Sequence, residues 1–345
     1  MAELELGNGE ILGFSELEGI AEERKDPFLA AIAHVRARWN DAQSDFEMRT
    51  SGSTGKPKII RHSKSSMRAS AELTAAFFDL PQGSSALLCL PPNYVAGSMM
   101  IVRALEMNWK LVLIPPRATP LNELKTTVDF AAMTPYQVDE SIKAGLEGFD
   151  HVKKLIVGGA PVSALLERKI RKLNTEVYAT YGMTETLTHI ALRRLNGTEA
   201  QTDFHCLPGV RYTWDERKCM VIEAAHLDEK KVVTNDRVEP TGMTSFQWLG
   251  RIDNVINSGG IKMHPEQIET KLSHILDCRY YIKGAPDEKF GEKVVLVLER
   301  SPFDPHTQKL FEDTLKSELG KYEVPTEIEF LSVFEETATG KLIRK

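Results

Sequence analysis

The chain has 345 residues, 42% hydrophobic and 8% aromatic, which is apolar material for two cored domains and too much for disorder. Its 43 basic residues are outweighed by 49 acidic ones, giving a net charge of -6. That balance argues against a nucleic-acid partner and leaves any anionic small molecule to local clusters of Lys and Arg.

The opening MAELELGNGE lacks the basic-then-apolar order of a signal peptide, and runs such as ALLCL or LVLI are too short to cross a bilayer. A cytoplasmic protein without membrane insertion is expected. Cys89, Cys206, Cys219 and Cys278 form no CxxC pair, and the histidines show no HxH or HxxxH spacing, so neither a disulfide framework nor a structural metal is indicated.

The first unusual stretch is TSGSTGKPK, Thr50 to Lys58, between an acidic segment and a predicted helix. After it, helical and strand patterns alternate: a helix from Met67, the strand-like SALLCL, a helix GSMMIVRALEM, the strand WKLVLI, and VDFAAMT as another strand. A helix from Pro135, KKLIVGG, a helix opening at Pro161, and the strand EVYATYG continue the series. Apolar strands alternating with helices predict an α/β domain with a mostly parallel sheet, whose ligand sites lie in loops after the strands.

Beyond Leu187, short alternating runs (HIALRRL, KCMVIEAA, KVVT, SFQWLG) predict a β-rich subdomain. The pattern breaks at LGRIDNVINSGGIKMHP. The rest reads as a compact α+β unit, with helices from Pro265 and Pro305 and strands RYYIKGA, EKVVLVLE and TEIEFLSV. Two domains are expected, 1–250 and 251–345.

Several loops carry groups suited to phosphate chemistry. TSGSTGKPK is not a Walker loop, because two residues rather than four separate Gly52 from Gly55-Lys56. It still offers converging N–H groups, hydroxyls and ammonium groups, although a plain flexible loop has the same composition. VGGAPVS, Val157 to Ser163, joins a strand to a helix, which many strand-Gly-helix turns do without binding anything.

TYGMTET combines the ring of Tyr181 with the hydroxyl of Thr184 and the carboxylate of Glu185, a set suited to a nucleobase, an α-phosphate and Mg²⁺, or simply an exposed turn. TNDRVE places Asp236 where a ribose diol could be held, or where an Asp turn forms. GRIDNVINSGGIKMHPEQIE marks the domain break. TATGKLIRK is a basic tail that could be only solvated.

Taken together and in this order, these motifs resemble the acyl-adenylate-forming superfamily of acyl-CoA synthetases, peptide-synthetase adenylation domains and luciferases, from about Thr50 to the end of the chain. The resemblance implies ATP and Mg²⁺ as cofactors, with coenzyme A as co-substrate and a small carboxylic acid as substrate. It implies that Thr50, Ser51, Ser53, Thr54 and Lys56 hold the triphosphate, and that Gly159, Ala160, Tyr181 and Gly182 frame the adenine. Thr184 would touch the α-phosphate, Glu185 the Mg²⁺, and Asp236 and Arg251 the ribose.

Lys341 would bridge the substrate carboxylate and the α-phosphate. Asp253 would be the hinge about which the C-terminal domain rotates, and Gly259 and Gly260 would line the pantetheine tunnel.

The stretch YGMTETLTHIALRRLNG, with a chain before the phosphate loop far shorter than is usual in the superfamily, resembles the short bacterial o-succinylbenzoate-CoA ligases of menaquinone synthesis. A basic group is then expected in the acyl pocket, with Arg103, Thr188 and His189 as candidates beside Tyr94, which stands where the superfamily often has a histidine. Arg103 on a solvated helix face and a structural His189 are the competing readings.

TND replaces a Thr-Gly-Asp pattern, and Asn235 can tolerate the positive φ a glycine would take there, so ribose binding by Asp236 is still expected. Alternatives are a ligase for another aryl or fatty acid, one serving a carrier-protein thiol, or a nucleotide sensor, which would be expected to lack Glu185 or Lys341. A P-loop phosphotransferase is opposed by the glycine spacing. A homodimer stays open.

Overall fold

The computed structural model describes residues 2–7, 9–49, 59–335 and 342–344. The central element is an 11-stranded sheet. Its middle is the parallel series Glu3–Leu6, Lys110–Leu113, Ser85–Leu88, Val128–Met133, Val152–Val157 and Glu176–Gly182, in that spatial order.

Alternate residues of these strands enter different cores. Leu88, Phe130 and Ile156 pack into one cluster, while Leu87, Ala131, Leu155 and Val157 pack into the other. Burial on both faces is why these strands read as continuous apolar runs. Local chemistry sets the helix starts between them: Ser63 caps Lys64–Phe77, and Thr134 with Gln137 forms a capping box on Pro135–Ala144.

Three expectations are refined and one strand is added. The run ELEL forms Glu3–Leu6, which pairs in parallel with Lys110–Leu113 and buries Leu4. The helix expected at Pro161 begins at Ala164, because Ser163 accepts a hydrogen bond from the Leu166 N–H and so supplies the cap.

TSGSTGKPK is flanked by strands rather than by an acidic segment and a helix: Asp45–Arg49 and Ile59–Ser63 pair antiparallel on its two sides. The β-rich region also divides. His189–Arg194, Phe204–Cys206, Asp236–Pro240 and Ser245–Arg251 extend the main sheet as antiparallel strands, and only Val210–Trp214, Met220–Ala224 and Lys231–Val233 form a sheet of their own.

After Arg251 a 3-10 turn, Ile252–Asn254, leads to a five-stranded sheet of Ile256–Ser258, Ile261–Met263, Tyr280–Asp287, Gly291–Glu299 and Glu327–Leu331. The helices Pro265–Leu272 and Pro305–Glu318 supply Ile268, Leu272, Phe311 and Leu315 to its core. The first of them approaches Gly250 so closely that a Cβ there would stand 2.3 Å from Glu266 Oε2.

Candidate functional site

Thr50, Ser51, Ser53, Thr54 and Lys56 lie outside the described residues, as does Lys341. The strand leaving that loop, Ile59–Ser63, is tied to two other parts of the chain. Buried His62 has its Nε2 2.7 Å from the carbonyl oxygen of Thr184, a contact in which the imidazole N–H donates. Ser63 gives its backbone N–H (2.7 Å) to Asp228, and the hydroxyls of Ser63 and Ser66 also donate to that carboxylate. The strand after the glycine loop is thereby fastened to the turn that carries Thr184 and Glu185.

That turn is sharply constrained. A Cβ on Gly182 would lie 2.2 Å from the carbonyl oxygen of Thr188, so only glycine fits. Leu187 has φ 65, a left-handed conformation costly for a branched residue, and it is held by complete burial. The Thr186 hydroxyl accepts from the Met183 N–H at 2.9 Å. Glu185 is left exposed at the tip. On the neighbouring strand end, Gly158 would clash with the Thr180 hydroxyl if it carried a side chain, Gly159 has φ 86, and Ala160 is half-buried.

Tyr181 is buried, and its hydroxyl donates to Asp236 at 2.8 Å. Burial and then the adjacent carboxylate hold the phenol well above its ordinary range, so it remains a donor. Asp236 is buried too, and its other oxygen accepts from the Trp248 indole at 3.1 Å. It stands opposite Arg251 in the strand register.

Asn235 does not take a positive φ. Instead its amide donates to both oxygens of Asp253, at 3.2 and 3.1 Å, and its carbonyl accepts from Arg217 at 2.9 Å. Arg251 reaches the same Asp253 carboxylate at 2.6 Å. Burial works to raise the Asp253 carboxyl, but the bonds from Arg251 and Asn235 outweigh it and hold the group below its usual range.

Among the acyl-pocket candidates, Tyr94 is the half-buried residue before the helix Val95–Glu106. Arg103, on that helix, is only 2% exposed, which corrects the solvated-face reading. No carboxylate among the described residues pairs with it, its Nε has no hydrogen-bond partner, and burial alone pushes its guanidinium down to about 10.

His189 is buried, and its Nε2 has no hydrogen-bond partner among the described residues. Burial first, then Arg103 and His226, press it down to about 3, so its ring is neutral. Beside it the Thr188 hydroxyl lies 2.7 Å from that of Ser70. The structure thus brings Arg103 and His189 together from distant segments.

Gly259 and Gly260, φ 59 and 86, form the exposed turn between Ile256–Ser258 and Ile261–Met263. Positive φ at both central residues is what the type I′ form of a two-residue hairpin turn requires. The sequence reading did not single out His62, Asp228, Trp248 or Arg344. The first two could have been sought as polar residues in otherwise apolar or turn segments. Trp248 and Arg344 carry no local signal.

Among the described residues, no group of three or more His, Cys, Asp or Glu could hold a metal by itself. Exposed Glu185 suits a hard cation that takes its remaining ligands from phosphate and water. No helix among the described residues is long and apolar enough to cross a membrane.

A parallel sheet with glycine turns and polar side chains gathered at its strand ends is the architecture of a nucleotide-binding enzyme. Residues 22–213 match the model of the AMP-binding enzyme family, and the chain belongs to that family. It is 38% identical to an acyl-CoA synthetase (AMP-forming)/AMP-acid ligase II-like protein from Dyadobacter fermentans, with 92% of this chain and 93% of that one covered and a TM-score of 0.63.

A 2-succinylbenzoate–CoA ligase of Lactococcus lactis is 24% identical over 86% of this chain and 69% of its own length. The fold is also that of the o-succinylbenzoate coenzyme A synthetase of Bacillus subtilis solved with ATP and magnesium, at 19% identity, TM-score 0.71, and 88% and 70% coverage. The activity class supported by these relatives is AMP-forming acid–CoA ligase.

Proposed function

We propose that the protein activates o-succinylbenzoate with ATP and passes the acyl group to coenzyme A. In the first step a carboxylate oxygen of the acid bonds to the α-phosphorus, the bond to the β-phosphate oxygen breaks, and pyrophosphate leaves. In the second, the thiol sulfur bonds to the acyl carbon, AMP leaves, and the thiol proton passes to solvent.

Thr50, Ser51, Ser53, Thr54 and Lys56 hold the triphosphate in this reading, and Gly159, Ala160, Tyr181 and Gly182 frame the adenine. Asp236 and Arg251 hold the ribose, and Thr184 meets the α-phosphate, with its turn braced by His62. Mg²⁺ at Glu185 would supply neutralising charge for the phosphates. Lys341 stabilises the charge that gathers between the acid and the α-phosphate. Residues 251–345 turn about Asp253 between the two steps, and Gly259 and Gly260 then admit the thiol arm.

The choice of acid rests on Arg103. A buried guanidinium without a counter-ion is costly, and a ligand that brings a carboxylate to it relieves that cost. o-Succinylbenzoate has one carboxylate to activate and a second to be recognised. Neutral His189 beside Arg103 can donate a further hydrogen bond.

One relative, 24% identical, is named a fatty acid–[acyl-carrier-protein] ligase. A fatty tail would leave Arg103 unpaired, so that substrate is disfavoured.

The test is pyrophosphate release with ATP and Mg²⁺ against o-succinylbenzoate, benzoate, succinate and medium-chain fatty acids, with and without coenzyme A. Rapid release with o-succinylbenzoate alone is expected, together with a CoA thioester and abolition by Lys341→Ala. Arg103→Met should raise the KM for o-succinylbenzoate by about 10²-fold, as expected when one partner of a buried charge pair is removed. Equal use of benzoate or a fatty acid, or an unchanged KM in Arg103→Met, would overturn the reading.

A further inference from the structure

The 3-10 turn between the two sheets is held from both sides by neighbouring residues. Asp253 faces back: its carboxylate receives Asn235 at 3.2 and 3.1 Å and Arg251 at 2.6 Å, and the backbone N–H of Ile252 donates to the Asn235 carbonyl at 2.8 Å. Asn254 faces forward: its amide donates to Glu266 in the helix Pro265–Leu272 at 2.7 Å.

Asn235 is itself braced. Arg217 donates to its side-chain carbonyl at 2.9 Å and to the Thr234 carbonyl at 3.0 Å, and Arg217 is in turn held by Asp215. The row Asp215, Arg217, Asn235, Asp253, Arg251 therefore runs from the small three-stranded sheet to the turn where the main sheet ends.

A glycine at 235 could make none of the side-chain bonds in this row. The backbone does not explain the asparagine either, since residue 235 has no positive φ. What the side chain does is grip the carboxylate of the turn.

We propose that Asn235 is a positioning residue for the hinge: by holding Asp253 against Arg251 it fixes the turn between the two units and biases the C-terminal unit toward the orientation seen here. Because Arg251 shares the Asp253 carboxylate, the same contact sets where the Arg251 guanidinium stands. Rotation of the C-terminal unit requires Asp253 to leave Asn235, so the latch shifts the balance between acyl-adenylate formation and thioester formation. This consequence rests on the ligase reading given above, whereas the latch itself does not.

The test compares wild type with Asn235→Gly, which removes the grip, and Asn235→Asp, which sets a second carboxylate against Asp253. Pyrophosphate release and thioester formation from supplied acyl-adenylate are measured separately, with hydrogen exchange of a peptide spanning 250–258 and thermal unfolding in parallel.

The expected result is faster exchange at the hinge in both variants, with the ratio of the two half-reaction rates shifted by about tenfold, the scale of one hydrogen bond to a charged group. Asn235→Asp should shift it further in the same direction. The proposal is overturned if hinge exchange is unchanged, if the ratio stays within about twofold of wild type, or if both half-reactions fall equally with a lowered unfolding temperature. Should wild type be inert toward every acid, the ligase reading fails, and hydrogen exchange alone then decides whether Asn235 latches the turn.

Discussion

His189 shows how much of a site is set by what surrounds a side chain rather than by its type. Its position after YGMTETLT marks it as a candidate, but the sequence leaves open whether it is structural. In the fold it is buried, unpartnered at Nε2 among the described residues, and close enough to Arg103 and His226 to be pressed down to about 3. That lies below the unfolded value of about 6.5, so the unfolded chain binds the proton first as pH falls.

Stability that is present above pH 6.5 is therefore lost on acidification toward pH 3, at up to about 1.4 kcal/mol per pH unit. Urea unfolding at pH 7.5 and 5.5 should show wild type losing about 1 kcal/mol more than His189→Gln over that interval. Equal losses would show that His189 titrates normally. Arg103 carries the complementary lesson: the helical pattern leaves a pocket-facing and a solvated arginine equally open, and only the packing of Val95–Glu106 reveals that it is buried, with no counter-ion among the described residues.

Among the elements, the parallel strands were legible because burial on both faces leaves no polar alternation, and the caps at Ser63 and Thr134 were available as local chemistry. Glu3–Leu6 was not, since its glutamates conceal a strand whose Leu4 is fully buried and whose Glu5 pairs with Lys110 across the sheet. The helix start at Ala164 was misplaced by giving Pro161 more weight than the stronger cap at Ser163. Least visible was the bracing of Ile59–Ser63, because Asp228 is remote in sequence and sits in a loop between Met220–Ala224 and Lys231–Val233.

Asp228 accepts from the Ser63 N–H and from two hydroxyls, so Asp228→Ala leaves three donors without that carboxylate. A loss of about 2 kcal/mol in unfolding free energy is expected, along with weaker ATP binding if the loop before this strand holds the triphosphate as proposed. Denaturant unfolding and calorimetric ATP titration measure the two effects. Unchanged ATP affinity in a destabilised variant would confine Asp228 to stability.

At the scale of the whole molecule, the sequence break at GRID coincides with the end of the main sheet, but the way the tail returns to the hinge region could not be read. Arg344 donates to Glu269 at 2.8 and 3.0 Å, lies 3.8 Å from Glu266, and contacts the Ile282 carbonyl. Leu342 packs against the cluster of Tyr281, Val295, Val297 and Phe334. Residues 342–344 are therefore fixed to the helix that Asn254 joins to the turn Ile252–Asn254, so they should move with that helix as one body.

If Lys341 acts as proposed, Arg344→Ala should slow acyl-adenylate formation by about 10²-fold, the cost of a displacement of about 1 Å in a catalytic group. It should leave the KM for ATP and thioester formation from supplied acyl-adenylate near wild type, with Arg344→Lys partly restoring the rate. A pH profile provides a second check. Burial pushes the Glu269 carboxyl up to about 7 against the pull of Arg344, so protonation below that pH weakens the clamp.

Wild-type adenylation should then fall between pH 8 and 6 more steeply than that of Arg344→Ala, which has no clamp to lose. Parallel profiles, or equal damage to both half-reactions, would show that Arg344 stabilises the C-terminal unit without positioning the lysine. An effect on adenylation alone would mean that the contacts of Arg344 with Glu269 and Glu266 serve to present one side chain, that of Lys341.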